Sequence, residues 1–174
     1  MLSKKMEKML NDQINAELYS SYLYLAMAAF FDSKGLSGFS AWMKAQTQEE
    51  IAHAMIFYNH ITERGGEVVL DAIKKPEVTW KSPLDVFKAS LKHEQYVTDR
   101  INKLVDLAIK ESDHATNNFL QWFISEQVEE EESVGTVVSN LELVGNDKSA
   151  LFMLDRELGA RTFTMPSPLL KGGN

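Results

Sequence analysis

Small and apolar positions recur at three- and four-residue steps near the start of the chain. Leu10, Ile14, Leu18, Ser21, Leu25 and Ala28 form such a series, the period of an amphipathic helix. The first 34 residues hold no Gly or Pro, so one long first helix is predicted. Gly35-Leu-Ser-Gly38 makes a short break. A second helix is predicted over 39–64, stopped by Gly65-Gly66 as a C-cap signal. The short link makes these two helices antiparallel neighbours. From 67 to 81 the period is lost. Val68-Val69-Leu70, Pro76 and Trp80 predict an extended crossover with some packed side chains. Ser82-Pro83-Leu84-Asp85 opens a third helix, with Ser as N-cap and Pro in the first turn. That helix runs to about Lys110. Asp113 caps a fourth, which ends near Val144 before Gly145-Asn146-Asp147, and a short fifth spans 148–158 up to Gly159. Pro166, Pro168 and Gly172-Gly173 predict a loosely ordered tail.

The fold class expected is all-α: a four-helix bundle with one long crossover and a short fifth C-terminal helix. The expected division is a domain over 1–160 and a tail over 161–174. The four long helices measure roughly 40 Å each at about 1.5 Å per residue.

Composition narrows the function. The chain has 174 residues, with 25 acids against 18 bases and a net charge of -7. With a pI near 5.1 it lacks the basic face of a nucleic-acid binder. Zero cysteines exclude a disulfide scaffold, a thiolate metal site and a cysteine nucleophile. The apolar run 22–31 is too short to span a bilayer, and Asp12 and Glu17 separate it from Lys4, Lys5 and Lys8. A cytoplasmic protein that engages neither membrane nor nucleic acid is the expectation.

The placement of the acids is anomalous. Glu17 falls within the first helix's apolar stripe, with Tyr24 at its edge. Glu50 sits near the centre of the stripe of Phe39, Met43, Phe57 and Ile61, with His53 one turn along. Glu94 lies among Phe87, Leu91, Ile101 and Val105. Glu130 lies among Phe119, Phe123, Val134, Val137 and Leu141, with Gln127 one turn before. A buried unpaired carboxylate costs several kcal/mol. One imidazole cannot neutralise four converging acids, so a cation is required. Oxygen ligands with a single imidazole suit one or two ions such as iron or manganese.

The spacing repeats. Glu17 to Glu50 is 33 residues, and so is Glu94 to Gln127; His53 follows Glu50 by three, as Glu130 follows Gln127. Residues three apart share a helical face and can reach one ion. Two hairpins thus read as halves of an approximate duplication. That is the plan of di-metal carboxylate bundles, of which the ferritin-like group is the standing example.

At three segments the chain resembles bacterial and archaeal non-haem ferritins: Asn11-Asp-Gln-Ile-Asn-Ala-Glu17-Leu-Tyr-Ser-Ser-Tyr-Leu-Tyr24-Leu, Gln48-Glu-Glu50-Ile-Ala-His53-Ala, and 119–131 with Glu126-Gln127-Val-Glu129-Glu130. The likeness spans roughly 2–160. It implies that Glu17, Glu50 and His53 hold a first iron, with Glu50 bridging to a second held by Glu94 and Glu130. Gln127 corresponds to a hydrogen-bonding neighbour, and Tyr24 to a tyrosine that donates a hydrogen bond or an electron. Glu49, Glu126 and Glu129, with Glu130, correspond to a third iron position. The implied activity is ferroxidation: Fe(II) and dioxygen are substrates, and Fe(III) is stored as mineral in a homo-oligomeric 24-mer shell.

Departures sharpen the resemblance. Haem-binding relatives carry Met after the bridging Glu and a Glu-x-x-His in the second half. Ile51 and Gln127-x-x-Glu130 stand here, so no haem is expected. Animal ferritins place acids at positions held here by Asn117 and Leu120, and of their mineral-nucleating acids only Glu49 is matched, Ala52 and Met55 standing at the others. Two other readings remain open at this point: a di-iron oxidase or oxygenase on the same bundle, and a metal-free structural bundle. Taken singly, each of these residues has an ordinary structural reading. His60, His93 and His114 read as structural or surface residues, Glu131 and Glu132 as a solvated face, and the 8 methionines as gap fillers.

Overall fold

The computed structural model describes residues 1–170; Gly172 and Gly173, assigned above to the tail, lie outside the described residues. Six helices follow one another: α1 Lys4–Ser33, α2 Ser37–Glu63, α3 Pro83–Lys110, α4 His114–Val144, α5 Lys148–Leu158 and α6 Ser167–Leu170. No strand occurs among the described residues. The caps at Ser82 and Asp113 are those that the sequence announces, and Asp147, expected only as part of a break, caps α5. Ser82 Oγ accepts from the Asp85 N–H at 3.1 Å. Asp113 Oδ1 accepts from the Thr116 N–H at 3.1 Å. Asp147 Oδ1 accepts from the N–H groups of Ser149 and Ala150 at 2.8 and 3.1 Å. Each satisfies donors that a helix start leaves open.

α1 packs along α2, and α3 along α4, as two helical hairpins; α5 packs across α2 and α4. The long crossover lies along α1. Asn11 donates to Glu67 O at 3.0 Å and accepts from the Val69 N–H at 2.7 Å. Further on, Trp80 meets Phe30 edge to face at 5.7 Å. α2 begins two residues earlier than expected, with Gly38 inside it. A Cβ at Gly38 would sit 1.6 Å from Asp155 O, so only Gly lets α5 approach α2 this closely. Asp155 reciprocates by accepting from the Gly38 and Phe39 N–H groups at 2.9 and 3.0 Å.

The core divides in two along the bundle. One apolar cluster gathers Tyr24, Met27, Phe31, Phe39, Met43, Phe87 and Leu141. The other gathers Met6, Leu10, Ile14, Phe57, Ile61, Ile101, Leu104, Leu120 and Phe123. Along every long helix, buried polar residues interrupt the passage from one cluster to the other: Gln13, Glu17 and Ser20; Gln46, Glu50 and His53; Ser90 and Glu94; Gln127 and Glu130. Each buried side chain of Leu, Ile or Phe size contributes about 1.5–3 kcal/mol, so the clusters hold the helices while the polar belt opposes them. Leu25, expected on the buried stripe, is exposed, whereas Tyr24, expected at its edge, is fully buried. Leu91, Val105 and Phe119 pack only partly buried against the clusters.

The tail departs from the expectation of loose order. After Gly159 it turns back over α2. Arg161 stacks on Trp42, with its guanidinium carbon 4.2 Å from the ring centroid, and Leu169 packs against the second cluster.

Candidate metal centre

The polar belt brings together residues from all four long helices. Glu17, Glu50, His53, Glu94, Gln127 and Glu130 are all at most 4% exposed. One ligand atom each from Glu17, Glu50 and His53 lie within 4.8 Å of one another, as do atoms of His53, Glu126 and Glu130. His53 joins both groups. Its Nδ1 stands 3.6 Å from Glu50 Oε2 and its Nε2 3.8 Å from Glu126 Oε1.

The carboxylates are aimed by amides. Gln13 Nε2 donates to Glu17 Oε1 at 2.8 Å. Gln46 Nε2 donates both to Glu50 Oε1 and to Glu130 Oε2, at 2.9 Å each, and so ties α2 to α4. Gln127 Nε2 donates to Glu94 Oε2 at 3.3 Å. Tyr24 Oη donates to Glu94 Oε1 and accepts from Ser90 Oγ at 3.0 Å. Arg100 Nε reaches the far side of the belt, donating to Gln13 Oε1 at 2.8 Å.

Two buried ligand atoms are left without any hydrogen-bond partner: Glu17 Oε2 and His53 Nε2. An orphaned carboxylate oxygen in the Glu17–Glu50–His53 group and an orphaned imidazole nitrogen on the Glu126 side of the His53 ring are each costly in a dry interior unless a further group joins them. A metal ion accepts from either.

Proton positions point the same way. Burial pushes the Glu17 carboxyl up to about 8, with the charge of Glu50 adding to the rise. Burial, with the charge of Glu50, pushes Glu130 up to about 7. Glu94 rises well above the carboxylate range, through burial and then the charges of Glu50 and Glu130. Glu50 goes the other way: burial would raise it, but His53 beside it outweighs burial and holds it ionised. Burial would likewise lower His53, but Glu126 and Glu50 raise it well above the imidazole range. One ion pair plus several protonated acids keeps the buried belt close to neutral. Tyr24 is also raised, by burial and then by Glu94, so its hydroxyl keeps its proton.

The residues expected at a third metal position are not all brought together. Glu126 joins the His53 group. Glu49 instead pairs with Arg161, and Glu129 points to solvent. Among residues assigned bland roles, His60 stacks on Phe119 at 3.8 Å and His93 shares a hydrogen bond with Ser20 at 2.7 Å. Glu131 is not merely solvated: it accepts from Thr98 Oγ1 at 2.5 Å. Gln13 and Gln46 were missed by the sequence reading. Each precedes its glutamate by four residues, and the two are themselves 33 apart, so the internal repeat carried the signal.

Fold and belt together define a four-helix bundle with a buried belt of carboxylates and one imidazole between its two apolar clusters. Comparison with known proteins agrees. The profile of the ferritin-like domain matches residues 7–144. A bacterial non-heme ferritin of Staphylococcus aureus is 42% identical over 163 residues, covering 94% of this chain and 98% of the relative. One from Bacteroides fragilis is 41% identical, covering 92% of this chain and all of the relative. The open-pore ferritin of the hyperthermophilic archaeon Archaeoglobus fulgidus superposes with a TM-score of 0.92 at 53% identity, covering 93% of this chain and all of that one. The chain belongs to the ferritin family. No described helix is long and apolar enough to cross a membrane.

Proposed function

We propose that the polar belt of this iron-storage protein is its ferroxidase centre, with Fe(II) and dioxygen as substrates. The observation that carries the reading is the buried group of Glu17, Glu50 and His53, whose ligand atoms lie within 4.8 Å of one another and which leaves Glu17 Oε2 without a partner. Glu17, Glu50 and His53 would take the first iron. Glu50, with Glu94 and Glu130, would take the second. Carboxylate oxygens are hard donors and favour the ferric product over the ferrous substrate, and in a dry interior their charge is screened less than in water. Each Fe(II) gives up one electron; dioxygen takes two electrons and two protons to become peroxide. Gln13, Gln46 and Gln127 fix the orientation of the carboxylates, a role that typically affects metal affinity by about 10–100-fold. Protons leaving Glu17, Glu94, Glu130 and His53 offset the arriving charge. Tyr24 holds Glu94 by a hydrogen bond and is near enough to lend an electron.

Glu126 and His53, with Glu130, support a third iron position; Glu49 and Glu129 would join it only after reorienting. No haem site is proposed. The di-iron oxygenase reading needs an apolar substrate cavity at the metals; the cleft of about 370 Å³ beside the belt, lined by Ile101, Ile124, Gln127 and Val128, touches it only through Gln127. The metal-free bundle leaves the orphaned ligand atoms without a purpose. We further propose a cytoplasmic homo-oligomeric shell of twenty-four chains that keeps Fe(III) as mineral. The unit that carries the centre would be residues 1–160, with 161–174 as an appended tail.

The direct test is an anaerobic Fe(II) titration followed by air. Saturation is expected at about two to three ions per chain, followed by oxidation. Equal oxidation rates in wild type and Glu50→Ala would overturn the assignment. A sizing column should show roughly 470 kDa for twenty-four copies of the 19.7 kDa chain; a monomer or dimer that holds no mineral would remove the storage shell and leave the centre standing.

A further inference from the structure

The C-terminal segment does more than trail from α5. Arg161 Nη2 donates to Glu49 Oε2 across 112 residues of sequence. The two side chains are only 21% and 15% exposed. The guanidinium also lies over Trp42, a residue 3% exposed, so a cation is stacked and paired on the face of α2. Beyond it the segment continues along α2. Ser167, Pro168 and Leu169 close a cleft of about 350 Å³ against Ile56 and His60 of α2 and Phe119 and Trp122 of α4. Trp122 in turn meets the His53 ring edge to face at 5.6 Å. The segment is therefore anchored on both sides of the His53–Glu126–Glu130 group.

The docking is incomplete. Arg161 Nη1 is buried and has no acceptor, and a buried donor left unpaired costs about 1–3 kcal/mol. Undocking gives that donor back to water. The segment thus has a reason to stay, in Glu49 and Trp42, and a reason to leave.

We propose that Arg161 is a tethered counter-ion that occupies Glu49 in place of the third iron, so that filling this position expels the guanidinium and releases the segment 160–170. The proposal rests on the third position assigned above. A guanidinium beside Glu49 engages its lone pairs and adds a positive charge close to an arriving divalent ion, and both effects weaken the site. The chain then discriminates among its own positions. The two inner ones meet only protons as competitors, whereas the outer one meets a fixed cation and fills last. Loading would be signalled on the α2–α4 face by a segment that lets go.

The test uses the full-length assembled apoprotein, titrated anaerobically with Fe(II) while heat and amide hydrogen exchange are followed at Ala160, Arg161 and Leu169, whose N–H groups are hydrogen-bonded in the docked segment. In wild type, exchange should stay slow through the first two equivalents and quicken with the third. In Arg161→Gln the segment should exchange quickly without iron, and the third equivalent should bind about tenfold tighter. Arg161→Lys keeps the charge but not the fork, and should fall between the two. An unchanged or weaker third equivalent in Arg161→Gln overturns the proposal, as does exchange that ignores iron. Glu126→Gln separates the two ideas. If it removes a third equivalent that Arg161→Gln does not alter, the counter-ion role fails and the third position stands. If neither wild type nor Arg161→Gln takes a third equivalent, the third position fails and the counter-ion role with it.

Discussion

The two hairpins place their acids in one register and treat them differently. In α1–α2, Glu17 keeps an unpartnered oxygen and His53 an unpartnered nitrogen. In α3–α4, Glu94 has both oxygens engaged, one by Tyr24 and the other by Gln127, and Glu130 is held by Gln46. An ion arriving at the first half breaks no hydrogen bond to Glu17 Oε2; an ion arriving at the second must displace or share existing ones. Equal spacing therefore does not mean equal sites. The duplicated geometry supplies the two proposed positions, and hydrogen-bond satisfaction ranks them.

The largest effect expected follows from that ranking. Fe(II) should fill the two inner positions in sequence, the first at least about tenfold more tightly. Glu17→Gln keeps the hydrogen bond to Gln13 but removes a charged ligand, and should weaken the first equivalent about 100-fold. Glu94→Gln should weaken the second by a similar factor and leave the first within about twofold. Anaerobic calorimetry reads both. If Glu94→Gln weakens the first equivalent as much as Glu17→Gln does, the halves are one inseparable site and the ranking is wrong.

The parts of this picture that the sequence carried are those governed by helical period and short-range chemistry. Ser82, Asp113 and Gly65 act as the caps or stops that their neighbours announce, and Glu17, Glu50, Glu94 and Glu130 stand out because acids do not belong in an apolar stripe. The repeat of 33 residues set the hairpins in register before any coordinates. Other features depend on contacts distant in sequence. Tyr24 is buried because α3 brings Ser90 and Glu94 to it. Leu25, next to it, is turned outward, a difference of about 100° that a broad stripe does not resolve. Arg161 could not be placed at Glu49 from sequence, because nothing local points a tail arginine 112 residues back. Glu129 sits in an acidic run, and a run alone does not say which members turn inward.

A second way to probe the difference between the halves is pH. In the first half, binding must expel the proton that Glu17 holds up to about pH 8 and the proton held by His53, raised well above its usual value. Each displaced proton weakens binding about tenfold per pH unit below the group's own value. Affinity for the first Fe(II) should therefore fall by at least about tenfold per unit from pH 8 to pH 6. In Glu17→Gln the steepness should drop by about one proton. An affinity that is flat over this range would mean that the chamber is not held neutral by protons.

The smallest effect expected concerns the apoprotein alone. Glu17 and Glu130 rise from a usual value of 4.5 to about 8 and about 7. Between those limits the folded chain holds protons that the unfolded chain has lost. Stability then falls as pH rises, because the native state is the one that binds more protons. His53 is raised and acts in the same direction above its usual value of 6.5. Glu94, raised well above 4.5, adds to the loss; His60, lowered to about 4, and His93, also lowered, oppose it below 6.5, and Glu50, lowered, opposes it only below 4.5. The net expectation is a loss on the order of 1 kcal/mol per pH unit between about pH 5 and pH 8, read as a falling denaturation midpoint in metal-free buffer. Glu17→Gln and Glu130→Gln should each flatten this slope, Glu17→Gln over the wider window. The flattening should vanish at saturating Fe(II) without oxygen, since the metal then replaces the protons in the folded state of wild type and variant alike. A wild-type apoprotein that grows more stable from pH 5 to pH 8 would show that these carboxyls are ionised and paired in the empty chamber, and the contrast between an open first half and a satisfied second half would have to be redrawn.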